Sequence, residues 1–223
     1  MTEANPPLPT PERLGMLEAR LATLESELSE LKNIELINKL TRMYGYYLDK
    51  ALWDELLPLF TEDCEVEISA LGVYVGRPQL EVLFKKFLGQ GPAKSGPNGL
   101  LHGQLYNHMM IQGIVHVDPC GTRAKGRWRS FMQLAEFGKY GRWGEGVETF
   151  EYARNDAGRW QVSKMHFYRT FHTPYDESWA TAVSPKGGML ADYPPDRPPT
   201  VDYDPFPGVY IPPFHYRNPV TGT

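Results

Sequence analysis

The chain has little cysteine, little net charge and no long apolar run, and each shortage narrows what it can be. Two cysteines among 223 residues, Cys64 and Cys120, make neither a disulfide framework nor a Cys-x-x-Cys pair, which fits a reducing compartment. The leading MTEANPPLPTPERL lacks the apolar core of a secretory leader, and no later run reaches the length of a membrane span. A cytoplasmic protein that does not enter a membrane is the expectation. With 23 basic against 27 acidic residues the formal charge is −4, and Lys and Arg nowhere cluster densely, so no nucleic-acid partner is expected. G-x-G-x-x-G, G-x-x-x-x-G-K-[ST] and G-x-S-x-G are all missing, and WGEGVETF opens a strand rather than a phosphate loop. H-E-x-x-H, helical H-x-x-x-H and carboxylates at ligand spacing are missing too, so the expectation is no metal and no cofactor.

What is present is patterned. Thr10 before Pro11 is a helix start, with a capping hydroxyl followed by proline at the first helical position. Leu14, Leu17, Leu21, Leu24, Leu28 and Leu31 then recur as an a/d seam over about two and a half heptads. The seam fits a helix packed on its own domain or packing between subunits, and a homodimer or homotrimer is expected. A second helix is predicted from about Ile34 to Ala51, and a short one over Trp53–Leu59 that Pro58 helps to end. Cys64–Ser69 and Val73–Val75 read as strands around an Ala70-Leu71-Gly72 turn, and Pro78 opens a further helix.

After a Gly/Pro loop over 89–99, four long strands are predicted at about 104–117, 122–136, 145–155 and 159–172. Helices first and an antiparallel meander afterwards give an α+β fold, with helices on one face of a curved sheet. Ten of the 20 prolines fall after residue 184, among scattered aromatics. So many rings are costly to leave in water, which points to an extended arm over the sheet or a neighbouring subunit. The predicted organisation is an N-terminal helical extension (1–33), an α+β domain (34–180) and a Pro-rich arm (181–223).

The motif D-x-x-x-W-D-x-L-x-x-L-F-T-x-D (49–63), with LLHGQLYNHMMI (100–111) and GRWQVSKMHF (158–167), resembles the SnoaL-like branch of the nuclear transport factor 2-like superfamily. That group includes scytalone dehydratase and ketosteroid isomerase, and the likeness spans about residues 34 to 172. It implies a cone-shaped curved antiparallel sheet packed against the N-terminal helices. It also implies a pocket aspartate at Asp49 and an acid–base histidine at His102. The dehydratase tyrosine before the aspartate is Leu48 here, with Tyr47 or Tyr44 as substitutes, and a second dehydratase histidine is replaced by Trp128.

Asp49 and Trp53, four apart, would share a helix face close to the buried stripe. His108 shares strand parity with His102, and His166 alternates with Trp160, Val162 and Tyr168, so both are pocket candidates. His172 and His215 read as structural or exposed. Arg123, Lys125, Arg127 and Arg129 form a solvated stripe facing Glu145, Glu148 or Glu151, with Arg129 the candidate anchor. Tyr44, Trp53, Trp128 and Phe150 complete a substrate wall suited to a ring-bearing ligand.

The resulting expectation is a cofactor-independent lyase with Asp49 and His102 as an acid–base pair and Tyr47 steadying charge. Its substrate would be a hydroxylated aromatic or polycyclic molecule losing water or formaldehyde. The alternatives are a ketosteroid-isomerase-like isomerase and a non-catalytic binding or assembly module.

Overall fold

The computed structural model describes residues 10–223, so the proline-rich lead before Thr10 lies outside the described residues. Helix α1 runs from Pro11 to Asp49, and Thr10 Oγ1 accepts from the Arg13 amide at its start. The two helices expected on either side of residue 33 are therefore one, because no proline, glycine or cap interrupts SELKNIELINKL. Short α2 (Trp53–Leu56) leads through a 3₁₀ turn into β1 (Phe60–Ile68), which a second 3₁₀ turn joins to β2 (Val73–Val75). Helix α3 (Gly76–Glu81) widens into a π-helix over Val82–Leu88. The Gly/Pro loop holds a two-rung hairpin, β3 (Ser95–Gly96) with β4 (Gly99–Leu100). The meander comes next as β5 (Gln104–Val117), β6 (Arg123–Glu136), β7 (Tyr140–Arg154) and β8 (Trp160–Pro174).

The six-stranded sheet has the order β2-β1-β8-β7-β6-β5. All neighbours are antiparallel except β1 and β8, whose long connection permits a parallel pair. One face of the curved sheet receives α1 and the α3 segment. Tyr44, Phe60, Phe84, Phe150 and Tyr152 are wholly buried between these layers. Some polar groups of the core pair with one another: Thr41 Oγ1 meets Tyr152 Oη at 2.7 Å, and Trp128 Nε1 donates to the same oxygen at 3.3 Å.

The C-terminal arm crosses the opposite, outer face of its own sheet. Asp196 and Arg197 bond the backbone of Val73, Thr200 bonds Glu67, and Arg127 donates to the carbonyls of Pro212 and Pro213. Rings stack along the way, Tyr168 on Tyr210 and Tyr203 on Tyr210. Among the described residues no helix is long and apolar enough to cross a membrane.

Candidate active site

Between α1, the π-helix and the inner face of the sheet lies a cavity of about 240 Å³. Its walls are largely apolar, with Leu48, Phe84, Phe87, Leu134, Met165 and Phe167 among them. Into it converge six polar side chains: Tyr44, Tyr106, His108, Glu148, Arg169 and His172. This is the composition of a small-molecule site, apolar walls with a few placed polar groups.

Asp49 is the last residue of α1, and Gly45, one turn earlier, decides where it ends up. A Cβ at Gly45 would stand 3.0 Å from Met110 Cγ and 3.5 Å from the His108 carbonyl, so the bare backbone lets α1 lie close on β5. The helix end thereby delivers the Asp49 carboxylate to His108. Oδ1 accepts from the His108 backbone amide at 2.6 Å and stands 3.7 Å from Nδ1 of the same ring. Nδ1 itself is buried with no hydrogen-bond partner. Burial holds the His108 pKa below the ordinary 6.5, although the Asp49 carboxylate pulls it back upward. The ring is therefore a neutral base at neutral pH, with an anion beside it ready to stabilise the imidazolium formed on proton uptake.

Glu148 sits in the same chamber, 2% exposed, with Oε2 lacking a partner. Burial raises its pKa to about 7, against a smaller lowering by the Ser130 hydroxyl. A carboxyl of that kind keeps a proton to give at neutral pH. His172 is pushed down to about 4, chiefly by burial and then by the charges of Arg169, Arg142 and His108. It is a second neutral imidazole, and its Nε2 is unpaired. Arg169 donates to the Pro185 carbonyl at 2.9 Å, and burial lowers its pKa. It supplies a largely desolvated cation at the cavity wall.

The structure brings together Asp49, His108 and Tyr44 of the residues singled out from the sequence. His102 is not with them. It is exposed in the turn before β5, which begins only at Gln104, and so cannot share the inward parity of Tyr106 and His108. The histidine that meets Asp49 is His108. Tyr47 is half-buried against the core and does not line the cavity, where Tyr44 and Tyr106 stand instead. Trp53 donates to Ser95 Oγ and stacks on Phe84, while Trp128 and Phe150 are core residues behind the walls. Arg129 is on the outer face, bonded to Gln112 and Glu145, and is no anchor for a ligand in this cavity.

His166 is on the outer face as well, and the reason is a β-bulge. Between the rungs Tyr152↔Val162 and Glu151↔Lys164, β8 carries one extra residue, Ser163, which reverses the parity of the residues after it. Trp160 and Val162 point inward, then Met165 and Phe167 do, and His166 pairs with Glu67 at 3.3 Å beneath the arm. A second bulge, with Thr170 as the extra residue, reverses the parity again and turns His172 into the cavity. Glu148 was missed for a related reason. It faces Trp128 across the ladder, not the outward Arg and Lys stripe, whereas Glu145 and Glu151 do pair with that stripe. The available signal was its even parity with Phe150 and Tyr152. Among the described residues no group of three or more His, Cys, Asp or Glu side chains is placed to hold a metal ion.

The family model of a SnoaL-like domain matches residues 29–166. A search of curated proteins gives no match. Among solved structures, a nuclear transport factor 2-like protein with a cystatin-like fold from Novosphingobium aromaticivorans is 21% identical, with 77% of this chain and 96% of that one covered at a TM-score of 0.50. A candidate scytalone dehydratase from the same species is 21% identical, with coverages of 72% and 97% and a TM-score of 0.53. A hexachlorocyclohexane dehydrochlorinase, LinA-type3, from Novosphingobium barchaimii is 20% identical, with coverages of 68% and 96% and a TM-score of 0.56.

Proposed function

The chain belongs to the SnoaL-like domain family, and from that premise we propose that it is a cofactor-independent lyase acting by acid–base elimination on a small ring-bearing molecule. The observation that carries the reading is the contact of Asp49 with a neutral, buried His108 at the wall of an apolar chamber. Two structural neighbours bear names that denote eliminations, of water and of hydrogen chloride, on the same scaffold.

The order of the pKa values sets the steps. His108 takes a proton from carbon, and Asp49 stabilises the imidazolium that results. The electron pair left on carbon forms the new double bond as the bond to the leaving oxygen breaks. Glu148 gives its proton to that oxygen, which departs as water, and solvent exchange resets both groups. Arg169 and the two tyrosines are placed to stabilise charge developing on oxygen. Loss of formaldehyde from a 1,3-diol uses the same groups. The base takes the proton of the terminal hydroxyl, formaldehyde forms as the carbon–carbon bond breaks, and the released pair becomes the double bond as Glu148 protonates the other hydroxyl, which departs as water. A cavity of about 240 Å³ favours one or two rings over a larger polycycle, since roughly 150 Å³ accommodates benzene.

The test is a panel of one- and two-ring aryl alcohols and diols incubated with the protein in deuterated buffer and read by mass spectrometry. Loss of water or formaldehyde, or deuterium entry at carbon, is expected with the wild type and absent with Asp49→Asn and His108→Ala. Ligand-induced tryptophan fluorescence changes with neither product nor exchange would instead establish a binding module.

A further inference from the structure

Every residue from Thr10 to Lys32 of α1 is exposed, and burial begins only at Asn33. At about 1.5 Å per residue this leaves roughly 33 Å of helix standing clear of the domain. The six seam leucines are between 45% and 64% exposed. Single surface leucines need no explanation, but a continuous row of six on an otherwise unsupported helix does. Most of the stability of a protein helix comes from packing its apolar face, and this stretch has no such packing among the described residues.

The charges flanking the seam identify the partner. With Leu14, Leu21 and Leu28 at a and Leu17, Leu24 and Leu31 at d, the g positions are Arg13, Arg20 and Glu27, and the e positions are Glu18, Glu25 and Lys32. In a parallel, in-register coiled coil each g residue faces the e residue five positions on in the other strand. The pairs are Arg13 with Glu18, Arg20 with Glu25, and Glu27 with Lys32, all of opposite sign. The antiparallel arrangement that overlaps all six leucines sets Arg20 against Glu27 but also Glu18 against Glu25, so its gain is cancelled. A seam that is complementary to itself in one orientation is fitted to a second copy of this chain.

Room exists for that copy. The buried stripe of α1, from Asn33 through Ile37, Thr41 and Tyr44 to Leu48, faces the sheet. At 100° per residue it lies roughly 170° around the helix from the leucines. The domain therefore flanks the far side of the helix and leaves the seam open. The heptad ends at Glu35, the next a position, where the helix enters the domain.

We propose that residues 13–32 form a parallel, in-register coiled coil between copies of this chain, making it a homo-oligomer joined at α1 with its domains side by side. The test is the mass of the full chain in solution by light scattering and sedimentation over a range of concentrations. The wild type is expected as an oligomer. Leu21→Glu with Leu28→Glu should weaken association at least ~100-fold while near-ultraviolet circular dichroism of the domain stays unchanged. Glu25→Arg alone sets arginine against Arg20 and should weaken association, and Arg20→Glu added to it should restore association. A monomeric wild type, or an oligomer that survives the leucine substitutions, would overturn the proposal. So would tighter association in Glu25→Arg, because that substitution relieves Glu18 only in antiparallel strands.

Discussion

Burial keeps His108 and His172 neutral and Glu148 protonated up to about pH 7 in one chamber, and activity should register that. In the proposed elimination His108 must be neutral to accept a proton, and Glu148 must be protonated to donate one. The profile of kcat/KM is then expected to be a bell, its acid limb below pH 6.5 and its alkaline limb near pH 7. Glu148→Gln should remove the alkaline limb and lower the maximum by about 10²–10⁴-fold. The same residue sets a stability trend. Its folded pKa, about 7, exceeds the ordinary value of 4.5, so the native state holds a proton that the unfolded chain has released between those values. Stability from this group is therefore lost as pH rises through that window. Glu148→Gln should be the more stable protein at about pH 8, by on the order of 3 kcal/mol, with little difference at about pH 4. Chemical denaturation at both pH values measures this. Asp49 stands out in the sequence because its motif is local, although its neighbour in space, His108, does not follow from that motif. Glu148 was not legible, because a strand pattern reports alternation without saying which parity faces inward.

Elements place these residues by close approach and by irregularities in the ladder. Gly45 allows α1 to lie on β5 at the turn before Asp49. Gly45→Val puts branched carbon against Met110 and the His108 carbonyl. It should destabilise the fold by about 1–3 kcal/mol and depress activity further, because the helix end is pushed from its partner. Thermal unfolding and turnover measured together separate the two effects. Thr41→Val leaves the Tyr152 hydroxyl proton without its acceptor in the core and should cost about 1–3 kcal/mol, read by denaturant midpoint. The four long strands and the helix of the WD motif were legible in composition and turn residues, and β5 was placed to the residue. What displaced the two β8 histidines from their expected faces were single inserted residues. Ser163 moved His166 out and Thr170 moved His172 in, and nothing in WQVSKMHFYRTFHT marks either position as extra.

On the scale of the whole molecule the chain builds outward from its cone in two directions, with α1 extended beyond the domain and the arm wrapped over the outer face. The arm's chemistry was legible: its rings needed cover, and Tyr168, Phe87 and Arg127 supply it. Its path was not, since it is fixed by contacts distant in sequence, among them one buried carboxylate. Glu67 accepts from both the amide and the hydroxyl of Thr200, at 2.8 and 2.6 Å. Thr200→Val should raise amide hydrogen exchange across residues 197–210 while leaving exchange in β5 to β7 unchanged.

The proposed catalysis turns on which histidine meets the substrate. With a substrate found in the aryl alcohol and diol panel, kcat/KM of His108→Ala and of His102→Ala measured side by side decides it. His108→Ala is expected to lose at least ~10²-fold, with His102→Ala close to the wild type. The reverse order, with His102 essential and His108 dispensable, would contradict it.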